Sequence, residues 1–275
     1  MLTLACGQTD IWSCFYHQIC DEALLNRYRA MLSEGERQRE LRFRLPEHRR
    51  CYLVTRALLR TVLSRYAKLD PAAWSFAVNA YGKPEIANPY LANQRISFNL
   101  SHTDGLIVLG IAAGRPIGVD AENMRSRPAP LCIAPTFFAP EERVALRSLA
   151  LDEQQERFFS YWTLKEAYIK ARGIGLSIPL DKINIRFYSS RSIDVSFHPS
   201  LNDVPSNWRF RLFRPSLDHL AALCTEGDEL IGWGTEIAIR KLLPLREEEI
   251  VTCPVLWESG CTPAAHQCDA NRLIR

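Results

Sequence analysis

The sequence contains no stretch of about 18 consecutive apolar residues, which is the length that a helix needs to cross a bilayer. It also lacks a basic N-terminal start followed by an apolar run, the pattern of a secretory signal peptide. We therefore expect no membrane span, no export signal and a cytoplasmic location.

The nine cysteines include no Cys-x-x-Cys pair, and their number is odd and their spacing irregular. A disulfide scaffold is typical of short secreted chains with paired cysteines, so this pattern indicates reduced thiols. Four potential metal ligands lie near the C-terminal end: Cys253, Cys261, His266 and Cys268. Their spacings of eight, five and two residues match no known zinc pattern.

Three common signatures of nucleotide-binding or hydrolytic sites are also missing: the P-loop, the Gly-x-Gly-x-x-Gly turn and the Gly-x-Ser-x-Gly nucleophile elbow. The formal net charge is +3 and the pI is near 8.4. That charge is too mild to demand nucleic acid, but it suits an anionic ligand or an acidic partner.

The chain does have the apolar content of a packed core, because 47% of its 275 residues are hydrophobic and 24% are charged. Helical spacing of apolar residues occupies 21–66, with a break at Pro46, and 140–172. Strand-like alternation occupies 74–122 and 183–240.

This order of helices, strands, helices and strands predicts an α+β fold. We expect two halves of similar size, residues 1–115 and residues 116–245, of which the second carries the candidate metal ligands. Residues 246–275 show no clear pattern, so we expect them to form a peripheral tail.

Two carboxylates stand two positions apart in a strand pattern. Period-two geometry sends Asp120 and Glu122 to one face, while Val119 and Ala121 point to the other. Adjacent carboxylates repel each other unless a cation lies between them, and a few oxygen ligands suit a Mg²⁺ ion that also binds phosphate. Taken alone, such a pair is more often a solvated strand end than a site.

A third acid, Glu166, lies one helical turn before Lys170 in a helical pattern. The ordinary interpretation is a surface ion pair worth a few tenths of a kcal/mol. The same helix carries Phe158, Phe159 and Trp162, which predicts unusual burial. Burying this pair is costly unless another charge joins it, which favours a site.

A histidine and a run of arginines are the candidate phosphate ligands. His102 ends a strand pattern at a turn, where it could bind a phosphate or simply bond to its own turn. Nine arginines lie between Arg37 and Arg65, and their planar guanidinium groups fit phosphate oxygens. Most of them are expected to form a solvated helix face. Aromatic residues suited to base stacking do not interleave with this run.

Six short motifs resemble those of the 4′-phosphopantetheinyl transferase superfamily, and the long single-chain, surfactin-synthetase-activating branch is the most similar. The resemblance covers roughly residues 30 to 190, and six motifs in the right order are hard to produce by chance. The motifs are Tyr-Gly-Lys-Pro at 81–84, Phe-Asn-Leu-Ser-His at 98–102, Gly-Val-Asp-Ala-Glu at 118–122, Phe-Phe at 137–138, Trp-Thr-Leu-Lys-Glu-Ala-Tyr-Ile-Lys at 162–170 and Gly-Ile-Gly-Leu-Ser-Ile-Pro-Leu at 173–180.

The resemblance implies two similar α/β halves related by a pseudo-twofold axis, with coenzyme A in the cleft between them. It implies that Asp120, Glu122 and Glu166 hold Mg²⁺, for which Mn²⁺ could substitute, against the pyrophosphate of coenzyme A. The implied activity of this monomer is transfer of the 4′-phosphopantetheine group to a serine of an apo acyl or peptidyl carrier protein, releasing 3′,5′-ADP.

The same resemblance implies that Lys83, Ser101 and His102 contact coenzyme A or lie close to its phosphates. Glu166 is the candidate general base for the attacking serine, and Lys170 would lie near the reacting phosphate. His102 is placed with these two residues as a candidate catalytic group.

The basic segment before Pro46 would hold the 3′-phosphate in members of this family. At one position where relatives carry a lysine, this chain has Glu36. Arg39 and Arg42 are the candidate substitutes.

Two other functions remain open from the sequence. A different Mg²⁺-dependent phosphodiester or pyrophosphate enzyme could use the same three acids, and it would turn over substrate without a carrier protein. A basic nucleic-acid-binding module would use the arginine run and show steeply salt-dependent binding, but it would leave the acids unexplained. We expect neither a nucleic acid nor a membrane as partner.

Overall fold

The computed structural model describes residues 1–5, 7–89, 96–188, 191–227 and 236–260. Within these ranges, no helix combines the length and the apolar character needed to cross a membrane. The α-helices of the described chain are α1 (Glu22–Met31), α2 (Glu34–Leu41), α3 (Pro46–Tyr66), α4 (Ala134–Phe137), α5 (Pro140–Arg147) and α6 (Leu151–Arg172).

Most of the described strands join one mixed sheet. The strands are β1 (Thr9–Cys14), β2 (Phe76–Val78), β3 (Pro84–Ile86), β4 (Ile96–Thr103), β5 (Leu106–Ala113), β6 (Ile117–Asn123), β7 (Ile183–Phe187), β8 (Ser192–Phe197), β9 (Trp208–Ser216), β10 (His219–Glu226), β11 (Glu236–Leu243) and β12 (Glu247–Ser259). The sheet runs β4-β5-β1-β11-β12-β9-β10-β6, with β8 and β7 attached to β12, while β2 and β3 pair separately. The predicted mixture of helices and sheet is confirmed, and the pseudo-twofold relation stays a prediction.

Helix α3 covers the N-terminal side of the sheet. Pro46 occupies its first turn, where a proline sacrifices no intrahelical hydrogen bond, so the predicted break is the start of the helix. Leu59 and Leu63 are fully buried in the same apolar cluster as Trp12. The Trp12 indole also donates to the Tyr66 hydroxyl at 2.9 Å, which ties the helix to β1.

Helix α6 packs against β6, β9 and β10 on the C-terminal side. It begins at Leu151 and ends, as predicted, where Gly173 adopts a left-handed conformation with φ of 68°. Near the beginning of the helix, Gln155 accepts a hydrogen bond from the Ala129 amide at 2.7 Å.

Strands β4 and β6, the two ends of the sheet path, meet through side chains. The Val119 amide donates to Asn99 Oδ1 at 2.9 Å, and the Asn123 amide donates to Thr103 Oγ1 at 3.0 Å. Because alternate residues of a strand share a face, the polar side of β4, which carries Asn99 and Thr103, is turned toward β6.

The contact between β6 and α6 depends on a glycine. A Cβ atom on Gly118 would lie 1.9 Å from the Ala167 carbonyl oxygen and 2.3 Å from the Ala171 amide nitrogen. Both neighbours are backbone atoms of α6, so making room for a Cβ would require the helix itself to shift. Only glycine therefore lets β6 lie this close to α6.

Strand β12 corrects the expectation of a peripheral tail from residue 246. Residues 247–259 pair with β11 along Glu247–Pro254 and also with β9, in the middle of the sheet path. Cys253 and Val255 are buried there. Residues 261–275 lie outside the described residues, as do the metal-site candidates among them.

The two predicted halves share this sheet. Strand β11, which lies on the C-terminal side of the predicted boundary at residue 115, pairs in parallel with β1 from the N-terminal side. The division into halves at that residue stays a prediction.

Candidate active site

The first feature of the site is a buried carboxylate at the junction of β4, β6 and α6. Asp120 Oδ1 accepts hydrogen bonds from Lys170 Nζ at 2.6 Å and from Ser101 Oγ at 2.9 Å. Lys170 Nζ also donates to Ser101 Oγ at 2.9 Å. Asp120 Oδ2 is buried and has no hydrogen-bond partner among the described residues. A buried carboxylate oxygen without a donor is costly, so it marks a place for a cation or a donor.

Glu122 and Glu166 are held within electrostatic reach of Asp120. Burial raises the pKa of both glutamates, and the negative charge of Asp120 raises both further. The positive charge of Lys170 lowers both, and Arg127 lies 3.4 Å from Glu122. The three acids that the sequence singled out thus influence one another, although Glu166 is 44 positions beyond Glu122 in the chain.

The three acids are the type of ligand that a Mg²⁺ ion prefers, but their side chains are not arranged around a common point. No group of three or more His, Cys, Asp or Glu side chains in the described ranges is placed to hold an ion. The Lys170 ammonium instead lies beside Asp120 Oδ1. The donors are nevertheless hard carboxylate oxygens, the type that Mg²⁺ prefers, and Asp120 Oδ2 is unpartnered in this part of the structure. Coordination of an ion by all three acids stays a prediction.

A cavity of about 510 Å³ opens beside His102. Strand alternation puts His102 on the opposite face of β4 from Ser101. Solvent reaches the ring through the cavity, yet the surrounding protein lowers the pKa of His102, and the charge of Lys170 lowers it further. His48, which also lines the cavity, has the same effect. A neutral imidazole is therefore the favoured state at neutral pH.

The two arginine candidates occupy different places. Arg39 lines this cavity and an adjoining one of about 630 Å³, with its guanidinium carbon 5.8 Å from the centre of the Tyr52 ring. Arg42 is exposed at the end of α2, and it is not among the described residues that line either cavity. The structure thus brings Arg39, but not Arg42, to the same cavity as His102.

Glu36 neutralises two arginines that border the site. Its Oε1 accepts from Arg56 Nε and its Oε2 accepts from an Arg60 terminal nitrogen, both at 2.6 Å. Burial alone would raise the pKa of Glu36. The charges of Arg56 and Arg60 oppose this effect, and the net result is a lowered pKa, so the carboxylate stays ionised. These partners are 20 and 24 positions away, and sequence reasoning did not pair them.

Lys83 binds carbonyl groups of the protein, and its contact with coenzyme A stays a prediction. Its Nζ donates to the carbonyl oxygens of Lys170 at 2.8 Å, Ala171 at 3.2 Å and Ile117 at 3.4 Å. Burial lowers the pKa of this amine. The ammonium therefore binds main-chain oxygens, and Lys83 also lines a third cavity of about 460 Å³ together with Pro84 and Glu85.

Sequence reasoning missed three residues that shape the site. Tyr52 is half-buried: it packs against the apolar cluster of α3 and also lines both arginine cavities. His48 carried no signal beyond its position at the start of a helix. Asn99 stands in a recognised motif, yet its bond to β6 depends on the approach of two strands.

Two family models together match most of the chain. The family model described as the 4′-phosphopantetheinyl transferase superfamily matches residues 116–224, and the model described as 4′-phosphopantetheinyl transferase, N-terminal, matches residues 20–114. These matches confirm the resemblance that the motifs indicated.

Three curated relatives show the extent of the similarity. The chain is 33% identical over 232 residues to 4′-phosphopantetheinyl transferase HetI of Nostoc sp. (strain PCC 7120), which covers 84% of this chain and 92% of HetI. It is 36% identical over 170 residues to a 4′-phosphopantetheinyl transferase of Bacillus subtilis, covering 62% and 73%. It is 33% identical over 174 residues to 4′-phosphopantetheinyl transferase Sfp of Bacillus subtilis (strain 168), covering 63% and 75%.

Proposed function

The chain belongs to the 4′-phosphopantetheinyl transferase superfamily, and on that premise we propose that it transfers the 4′-phosphopantetheine group of coenzyme A to a serine of an apo carrier protein. The products are the holo carrier protein and 3′,5′-ADP. The observation that carries the assignment to a site is the buried contact of Asp120 with Lys170 and Ser101, beside the His102 cavity. Family membership favours neither a different phosphodiester enzyme nor a nucleic-acid-binding module.

Asp120, Glu122 and Glu166 would hold Mg²⁺, or Mn²⁺ in its place. When bound, the ion neutralises pyrophosphate oxygens and stabilises the charge that develops on the leaving group. Asp120 offers its unpartnered Oδ2, and Lys170 keeps Oδ1 oriented. Ser101 holds both of these side chains, so we assign it to orientation of the acid as well as to the coenzyme A site.

Glu166 is the proposed general base. The serine oxygen forms a bond to the β-phosphorus of coenzyme A, the bond from that phosphorus to 3′,5′-ADP breaks, and the serine proton passes to Glu166. Burial and the nearby Asp120 raise the pKa of Glu166 in the metal-free protein, whereas a bound cation would lower it, so its roles as ligand and as base compete. Lys170 stabilises negative charge on the transferred phosphoryl group.

His102 and Arg39 are the proposed contacts for the phosphates of coenzyme A. Both line the 510 Å³ cavity, and a bound phosphate would raise the lowered pKa of His102 and favour its charged form. Arg39 supplies a permanent charge and a planar donor group. Arg42 is a weaker candidate because it lies outside the cavity lining.

The proposed partner is an acyl or peptidyl carrier protein with an acidic docking face, since this chain carries a net charge of +3. We further propose that the enzyme acts as a monomer in the cytoplasm, where its thiols would stay reduced. Neither a nucleic acid nor a membrane is needed for this reaction.

Mass spectrometry of an apo carrier protein tests the proposal directly. After incubation with this enzyme, coenzyme A and Mg²⁺, the carrier should gain one phosphopantetheine group at its serine. A carrier with that serine changed to alanine is the control and should gain nothing. Conversion of coenzyme A without any carrier would favour the phosphodiesterase alternative. Failure to modify fatty-acid, polyketide and peptide carriers alike would contradict the proposal.

A further inference from the structure

Lys83 connects the two elements that carry the proposed catalytic groups. Its ammonium donates to the carbonyl oxygens of Lys170 and Ala171 in the last turn of α6. It also donates to the carbonyl oxygen of Ile117, the first residue of β6. One side chain therefore joins the end of the helix to the beginning of the strand.

The chemistry of this contact is that of a helix C-cap. The last carbonyl groups of a helix have no intrahelical partner and carry partial negative charge. A lysine ammonium has three N–H donors, which here are shared among three carbonyl oxygens. Asn79, from the same turn as Lys83, donates to the Gly173 carbonyl oxygen at 3.0 Å. The turn between β2 and β3 thus caps α6 with two side chains.

The cap lies against the closest approach of β6 to α6. Gly118, directly after Ile117, is the glycine whose missing Cβ allows that approach. Lys170 is consequently fixed at two points. Its carbonyl oxygen accepts a hydrogen bond from Lys83, and its ammonium donates to Asp120 and Ser101. A shift of the last helical turn would carry the Lys170 ammonium away from the acid.

We propose that Lys83 is a positioning residue, which sets the distance between Lys170 and Asp120 by clamping the end of α6 to the beginning of β6. The inference rests on the proposed transfer reaction for its kinetic consequence, but the clamp itself is independent of that reaction. A direct contact between Lys83 and a phosphate of coenzyme A would instead make this side chain a ligand for substrate.

Lys83→Met separates these two roles, because it keeps an unbranched side chain only one atom shorter and removes the donors. Positioning predicts that kcat falls at least about tenfold, since small displacements of catalytic groups have large effects on rate. The Kd for coenzyme A, measured by calorimetry, should stay within about twofold, because substrate contacts are kept. Lys182→Met is the matched control: Lys182 is also half-buried and pairs with Asp181 at 3.1 Å.

Hydrogen exchange adds a readout that needs no activity. In Lys83→Met, amides in 117–120 and 169–173 should exchange faster than in the wild type, and in Lys182→Met they should not.

A Kd for coenzyme A raised tenfold or more, with unchanged exchange, would overturn the proposal and make Lys83 a ligand. Wild-type kcat and exchange in Lys83→Met would overturn it as well. If Lys83→Met does not fold, Lys83→Gln, whose shorter neutral amide has only two donors, is measured by the same criteria. If the wild-type enzyme modified no carrier protein, the proposed function would be wrong. The clamp would remain testable, because the exchange experiment does not require activity.

Discussion

The Lys170 ammonium on helix α6 lies 2.6 Å from Asp120 Oδ1 on strand β6. This contact joins a motif of the helix to a motif of the strand that is 50 positions earlier. The two oxygens of the Asp120 carboxylate therefore differ. Oδ1 is paired with lysine, whereas Oδ2 is buried and has no hydrogen-bond partner in the described structure. The predictions below follow from this arrangement.

Asp120→Asn should reduce kcat/KM for carrier modification by about 10² or more, because it removes charge stabilisation at the reacting phosphate. The isosteric change should leave the fold intact by circular dichroism. Asp218→Asn is the control: Asp218 pairs with the exposed Arg125 at 2.8 Å and should matter little. Near wild-type transfer by Asp120→Asn would contradict the assigned site.

Glu166 should define the acidic limb of the rate profile. Its pKa is raised above the ordinary 4.5 by burial and by Asp120. A bound cation would lower this pKa again. A base acts only when deprotonated, so kcat should fall as pH decreases through the pKa that Glu166 has in the loaded enzyme. Glu166→Gln should lower kcat by orders of magnitude and abolish this limb. A limb that persists in the residual activity of Glu166→Gln would assign the base to another group.

Glu122→Gln should raise the Tm at neutral pH while it inactivates the enzyme. The folded pKa of Glu122 is raised, so the folded state binds protons more tightly than the unfolded state. Ionisation above that pKa therefore costs stability, and a neutral side chain removes the cost.

Magnesium should act in the opposite sense, because an ion that binds only the folded state stabilises it. The wild-type Tm should rise with added Mg²⁺ and fall with a chelator, and Glu122→Gln should lose most of this response. Thermal denaturation measures both effects. A wild-type Tm that does not respond to millimolar Mg²⁺ would argue against the three-acid metal site.

Gly118→Ala should destabilise the protein by about 3 kcal/mol or more, because the added methyl group overlaps backbone atoms of α6. Gly35→Ala on α2 is the matched control, since a Cβ there meets nothing within 4 Å. Alanine is favoured over glycine inside a helix, so that variant should gain up to about 1 kcal/mol. Urea denaturation compares the two, and equal effects would refute the close contact.

Arg39→Ala should raise the Kd for coenzyme A by about tenfold, as expected for the loss of a charge-assisted contact to phosphate. Arg42→Ala should leave it unchanged, because Arg42 lies outside both cavities. Dephospho-coenzyme A, which lacks the 3′-phosphate, should bind both variants and the wild type with similar affinity. Calorimetry with the two ligands distinguishes this result from a general loss of the cavity.

Several elements could be predicted because their signals are local. The alternation of β4 and β6 and the glycine stop of α6 each depend on residues within a few positions of one another. β12 was missed because its first residues, Glu247–Glu249, are exposed acids, and its apolar alternation is weak. The place of that strand depends on pairing with β11 and β9, which no local pattern encodes.

The sequence by itself determined which residue types the site uses and the order in which the chain supplies them: two acids on a strand, then an acid and a lysine one turn apart on a helix. Only the tertiary structure decided that Lys83 binds the end of that helix, that Glu36 binds Arg56 and Arg60, and that Asp120 keeps one oxygen unpartnered within the described residues. The physical reason is distance along the chain. Periodicity orients a side chain relative to its neighbours, whereas the partner that it meets across 20 to 87 positions is chosen by packing of the whole fold.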